Sequence, residues 1–147
     1  MNLPILGKAE PVGNPECPII WRWTLVGEGK TEGDRHWWRF MPFKVMLHYF
    51  PPRTADLDVH DHPRSFMTFM LRGSYKDVRP DGSEILRAPA VRYRAAEHAH
   101  RTVTGARGAW TLVIMGPLKR PWGFWLDGKW RPWREYVAMF GNGGRRC

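Results

Sequence analysis

The chain has 147 residues, of which 43% are hydrophobic, enough for the core of one ordinary domain and too few for a two-domain enzyme. Lys and Arg number 23 against 14 Asp and Glu, a formal charge of +9, but the positives are dispersed arginines rather than a basic arm. With Cys17 and Cys147 as the only cysteines, a zinc ribbon or disulfide-stapled fold is excluded and a reducing, cytoplasmic setting is expected.

Residues 1–20 hold Pro4, Pro11, Pro15 and Pro18 with Gly7 and Gly13, and read as an irregular N-terminal arm. The start lacks the basic region and long apolar run of a signal peptide, and no apolar stretch nears the roughly 20 residues of a membrane span. Residues 21–26 alternate as a strand. A polar, Gly-rich connection follows over 27–34, and 35–40 is ambiguous between helix and strand. Residues 45–50 form a strand that ends at Pro51-Pro52.

Beyond Pro52, short strands are separated by turns. Residues 66–71 close at Gly73, 75–79 turn through Pro80-Asp81-Gly82-Ser83 into 84–87, and Pro89 breaks the run before 91–94. Strands are expected again at 100–104 and 110–115. Residues 124–126 and 129–131 flank Asp127-Gly128, a type I′ hairpin signal, and 133–140 fits a short helix. The pattern is all-β, a sandwich or barrel over 21–140 with a flexible tail at 141–147.

Four of the six histidines form two His-x-His pairs, His60 with His62 and His98 with His100. On a strand, residues i and i+2 face one side, so each pair presents two imidazoles to a common space. Three or four converging imidazoles suit Fe, Ni, Zn, Mn or Cu. One such pair is often an ordinary surface feature; two, each beside an apolar strand, weigh toward a site. Asp56, Asp58 and Asp61 surround the first pair. They read as ligands, as acceptors that orient a metal-bound imidazole, or as an acidic turn. His48, among Leu47, Tyr49 and Phe50, reads as a wall or pocket residue, and His36 as surface.

These residues resemble the cupin superfamily. Its first motif is Gly, five residues, His-x-His, three or four residues, Glu, six residues and Gly. Its second is Pro-x-Gly, two residues, His, three residues and Asn. His60-Asp61-His62 matches the histidine pair, Gly73 the closing glycine and His100 the second-motif histidine. Ala95 and Glu97 stand where proline and glycine would be, Thr104 replaces the asparagine, and Phe66 occupies the place of the metal-binding glutamate. Over residues 58–104 the resemblance implies a cupin-type double-stranded β-helix, a jelly-roll barrel. It also implies a divalent transition metal on His60, His62 and His100, as in the glutamate-less thiol dioxygenase-type members. Iron is the first choice, with Zn, Ni or Mn as alternatives. His98, Asp58 and His48 are candidates for an additional ligand or pocket residue. Residues 97–101 and 122–136 are similar to small single-domain RmlC-like cupins of bacteria and phages, and the superfamily's habit of pairing implies a homodimer.

Arg64, Arg92 and Arg94 lie near the expected ligands and would anchor a substrate anion if turned inward; otherwise they decorate an outer face. The nine tryptophans admit two roles. Trp21, Trp23, Trp37 and Trp38, interleaved with Arg22, Arg35 and Arg39, could be stacking platforms for single-stranded nucleic acid. Alternatively the tryptophans fill a small barrel and cover its mouth. No recognised nucleic-acid motif supports the platforms, and no G-x-S-x-G, phosphate loop or H-E-x-x-H is present. The sequence therefore reads as a metal-binding cupin, an iron dioxygenase-like enzyme for a small anionic organic substrate. The alternatives are a non-catalytic small-molecule-binding cupin and a metal-dependent isomerase, with a basic nucleic-acid-binding domain the least favoured.

Overall fold

Short alternating segments bounded by Gly and Pro satisfy their backbone groups only by pairing with one another, and long-range strand pairing dominates this chain. The computed structural model describes residues 1–27, 42–56 and 58–141. Its strands are β1 (Asn2–Leu3), β2 (Gly7–Lys8), β3 (Glu10–Val12), β4 (Ile20–Val26), β5 (Lys44–Phe50) and β6 (Val59–His60). They continue as β7 (Phe66–Arg79), β8 (Gly82–Arg87), β9 (Ala90–Arg94), β10 (Arg101–Met115), β11 (Gly123–Leu126) and β12 (Lys129–Pro132), before the helix α1 (Trp133–Phe140).

Seven strands form one sheet in the order β3-β4-β5-β10-β7-β8, with β9 also on β7. A second sheet has the order β12-β11-β6, and β1 pairs with β2. Single bridges at Ala55–Val103 and His60–His100 tie the segment before and within β6 to the region of β10.

Two pairs of strands expected to be separate are fused. Residues 66–71 and 75–79 are both in β7, and most of 100–104 joins 110–115 in β10. Glycine makes this continuity feasible. Gly73 and Gly108 have φ of 77° and 64°, and a Cβ on Gly73 would strike the Gly108 carbonyl oxygen. The β7–β10 register shifts between Thr104 and Ala109, so both strands bend at this crossing without breaking. The first half of β7 pairs with β9 and the second half with β8.

The inner face holds two apolar clusters, Phe50, Met70, Tyr75, Leu86 and Ala109 in one, and Met46, Phe66 and Val113 in the other. On the opposite face, Trp110 stacks on Trp23 at 5.8 Å and on Tyr49 at 4.7 Å. The Trp23 indole donates to the Gly7 carbonyl at 3.1 Å, so the N-terminal arm lies over this aromatic layer. The arm is less irregular than its prolines suggest, since β3 adds a strand beside β4. These tryptophans serve packing; Trp37, Trp38, Arg35, Arg39 and His36 lie outside the described residues. Cys17 is disulfide-bonded, which corrects the expectation of reduced thiols.

The expected hairpin is β11–β12, with Asp127 and Gly128 both at positive φ (50° and 74°), as a type I′ turn requires. Tyr136 of α1 stacks on Phe124 at 3.7 Å and seats the helix on β11. Among the described residues, no helix is long and apolar enough to cross a membrane.

Candidate metal centre

The two His-x-His segments meet through their backbones. His60 and His100 each donate an N–H to the other's carbonyl at 2.9 Å, an antiparallel pair whose side chains share one face. The two-residue alternation carries His62 to the same side as His60. Ring centroids are 5.1 Å apart for His60 and His62, 5.4 Å for His60 and His100, and 5.1 Å for His62 and His100. Each ring offers one nitrogen, and the three lie within 4.8 Å of one another.

The closest approach is 2.9 Å, between His62 Nε2 and His100 Nε2. Two imidazole nitrogens on one ion, each at roughly 2.1 Å, stand about 3.0–3.4 Å apart for right-angle to tetrahedral geometry. The observed spacing therefore fits a shared cation with little rearrangement. Burial, then the neighbouring His60 and His100 rings, hold the His62 pKa well below the ordinary 6.5. Burial also lowers His100, partly opposed by Asp77. Both imidazoles are thus neutral at neutral pH, the form that ligates.

Asp77, fully buried on β7, completes the arrangement. His100 Nδ1 donates to its Oδ2 at 3.0 Å, and His98 Nε2 lies 3.3 Å from the same oxygen. Arg94 adds Nε and Nη2 contacts at 3.2 and 3.1 Å, and also reaches Glu84 at 3.1 Å. Burial alone would raise the Asp77 carboxyl, but the hydrogen bonds from His100 and His98 outweigh it and keep the carboxylate ionised. One edge of the His100 ring therefore faces a carboxylate and the other faces His62, the arrangement by which proteins orient a ligating histidine. Asp77, His98 and His100 also lie within ligand distance of one another.

The structure brings His60, His62, His98 and His100 together. His48 and Asp58 are not in either group. His48 is on the inner face of β5, and Asp58 accepts from the Tyr136 hydroxyl at 2.8 Å, while its carbonyl lies 3.4 Å from His60 Nδ1. Asp56 accepts from the Thr102 N–H and hydroxyl at 2.9 and 2.7 Å. Asp61 is held by Arg120, the Gly123 N–H and the Trp130 indole at 2.8, 2.8 and 2.9 Å. The acidic segment thus fastens the surrounding strands, while the Asp77 carboxylate reaches the His98 and His100 imidazoles.

The expected anion anchors have protein acceptors. Arg94 turns inward onto Asp77, Arg92 pairs with Glu84 at 2.6 Å, and Arg64 donates to the Gly116 carbonyl at 2.8 Å. Phe66, in the place of the cupin glutamate, packs its ring against His62 at 4.6 Å and closes that side with an apolar surface. Sequence reasoning missed Asp77. The available signal was its two-residue spacing from the apolar Tyr75, which puts an acid on a buried face.

No family model and no curated protein sequence matches the chain. Solved structures do. KdgF from Halomonas sp. superposes with a TM-score of 0.58 at 12% identity, over 81% of this chain and 95% of that one. An acetylacetone dioxygenase from Acinetobacter johnsonii gives 0.58 at 16% identity, over 89% and 83%. A cupin-like protein from Thermotoga maritima gives 0.53 at 17%, over 81% and 83%. At these identities the likeness is one of fold: the strands are arranged as in the cupin superfamily. On that fold sits a His/Asp cluster able to coordinate a metal.

Proposed function

We propose that this chain is a metal-dependent cupin that acts on a small anionic organic molecule, with His60, His62 and His100 as ligands and Asp77 orienting His100. The observation that carries this reading is the 2.9 Å approach of two neutral imidazole nitrogens, that of the buried His100 being backed by a buried carboxylate. A bound divalent ion would supply Lewis acidity and, if iron, one-electron chemistry. The protein's part is to hold the three rings, keep His62 and His100 unprotonated and shield the site with Phe66.

Iron with dioxygenase-like chemistry is the favoured form. It is supported by the all-nitrogen donor set and by the shared fold with an acetylacetone dioxygenase. Zinc, nickel or manganese, with isomerase chemistry or with binding alone, use the same ligands. We further infer one domain over residues 21–140 closed as a jelly-roll barrel, of RmlC-like type. A homodimer is supported by the exposed apolar side chains Met67, Val91, Tyr93 and Ile114.

Elemental analysis of protein purified without a histidine tag tests the reading. A stoichiometric transition metal is expected, lost in the His60→Ala/His62→Ala double variant. Less than about 0.2 equivalents of any such metal, with no uptake on reconstitution, overturns it.

A further inference from the structure

The inner face of the seven-stranded sheet is interrupted by a polar row. On β5, His48 lies between Met46 of one apolar cluster and Phe50 of the other. On β10, Thr111 lies likewise between Val113 and Ala109. The strand registers align the row, since Arg22 of β4 opposes His48 and His48 opposes Thr111. Arg22 shares its face with Ile20, which packs on the Phe50 cluster.

Three atoms of this row, Arg22 Nε, His48 Nε2 and Thr111 Oγ1, are buried and find no hydrogen-bond partner among the described residues. Thr111 is only 1% exposed. Arg22 uses Nη2 on Glu10 at 3.0 Å, which leaves its Nε directed elsewhere. Buried polar groups are almost always satisfied, so adjacent orphans call for an outside partner. Their chemistry is specific. An Arg Nε–H only donates, a threonine hydroxyl donates readily, and a neutral imidazole Nε2 donates in one tautomer. Three such atoms along one row match an acceptor-rich group.

The row connects to the imidazole cluster through one side chain. Phe66 belongs to the Met46–Val113 cluster that flanks the row and meets His62 edge to face, with ring centroids 4.6 Å apart. Like Arg64, Arg92 and Arg94, Arg22 has a protein acceptor, but its Nε is a buried donor on the inner face without one among the described residues.

We propose that Arg22, His48 and Thr111 form the carboxylate-binding end of the ligand site, with the remainder of a small organic acid extending toward the imidazole cluster. This assignment rests on the reading of the chain as a small-molecule cupin and names the substrate class.

Ligand-observed NMR titration of the metal-free and the zinc-loaded protein with acetate, pyruvate and malonate, beside acetamide as the uncharged control, tests it. At least one carboxylate is expected to bind both forms and to bind more tightly than acetamide. Thr111→Val and Arg22→Met should each weaken it at least about tenfold. Thr111→Ser, which keeps the hydroxyl, should retain the affinity, and circular dichroism confirms that each variant is folded. Absence of carboxylate binding to the parent protein at about 20 mM overturns the proposal. So does unchanged affinity in folded Thr111→Val and Arg22→Met, which would mean that water alone satisfies the row. The His60→Ala/His62→Ala variant separates the two readings. Carboxylate binding that survives there supports the row even if no metal is ever found. A protein that holds metal but whose carboxylate affinity ignores the row retains the metal reading and loses this one.

Discussion

His100 Nδ1 donates to Asp77 Oδ2 across 3.0 Å, and the same ring turns its Nε2 to within 2.9 Å of His62 Nε2. A buried carboxylate on β7 thereby selects the tautomer of an imidazole that enters β10. The lone pair left on Nε2 points into the cluster, and Arg94 balances the carboxylate charge from behind.

Asp77→Asn keeps the shape and removes the charge. Metal affinity, measured by competition with a chromophoric chelator, is expected to fall about 10- to 100-fold. Arg94 keeps only Glu84 as an anionic partner, so metal-free stability should drop by about 3 kcal/mol in urea unfolding. Unchanged metal affinity would show that Asp77 merely packs.

Phe66→Glu puts a carboxylate in the cupin position beside His62. It removes a ring from the Met46–Val113 cluster, so the metal-free variant should lose about 3 kcal/mol of stability. Zinc should then raise its melting temperature by more than it raises the parent's, because a fourth donor has been added. An equal or smaller zinc-induced rise would place residue 66 away from the ion.

Burial, and then the Arg22 guanidinium, hold the His48 imidazole down to about 3 from its ordinary 6.5. In the unfolded chain this side chain protonates near 6.5, so below that pH the unfolded state binds a proton that the native state refuses. The contribution is complete above about 6.5 and is lost as pH falls toward 3. His62 and His100, lowered chiefly by burial, act in the same direction. Metal-free His48→Gln should therefore lose less stability than the parent between pH 7 and pH 4, by roughly 2–4 kcal/mol in urea unfolding. Parallel curves would mean that His48 titrates in the native protein.

Asp61→Ala strips one buried carboxylate from Arg120, the Gly123 N–H and the Trp130 indole together. Because Phe124 pairs with His60, the loss should loosen β11, β12 and β6 as a unit. Amide exchange of residues 123–132 should quicken, and stability should fall by about 3 kcal/mol or more. Exchange confined to the altered position would contradict a fastening role.

The features readable from the sequence are those carried by neighbouring residues. Strand alternation alone places His60 and His62 on one face, and Asp127-Gly128 specifies its own turn. The same alternation turns Asp61 away from its two histidine neighbours, and nearness in sequence obscured this. Asp77 could not be read locally. Its side chain meets His100 only because β7 and β10 pair in one register, with Asp77 opposite Thr102. The fused strands were hidden for a related reason: Gly73 reads as a terminator until Gly108 is seen to lie against it.

The bridge between His60 and His100 closes a loop that contains β7, β8 and β9. Contacts between such distant residues form late in folding, after the hairpins they enclose, because closure entropy must be met first. A chain still emerging from the ribosome would present His60 and His62 without His98 and His100, too few of the clustered donors for a firm hold on an ion. On the proposed reading, ion selection would belong to the finished molecule and would follow the free metal pool of the compartment in which folding ends rather than the ions met during synthesis.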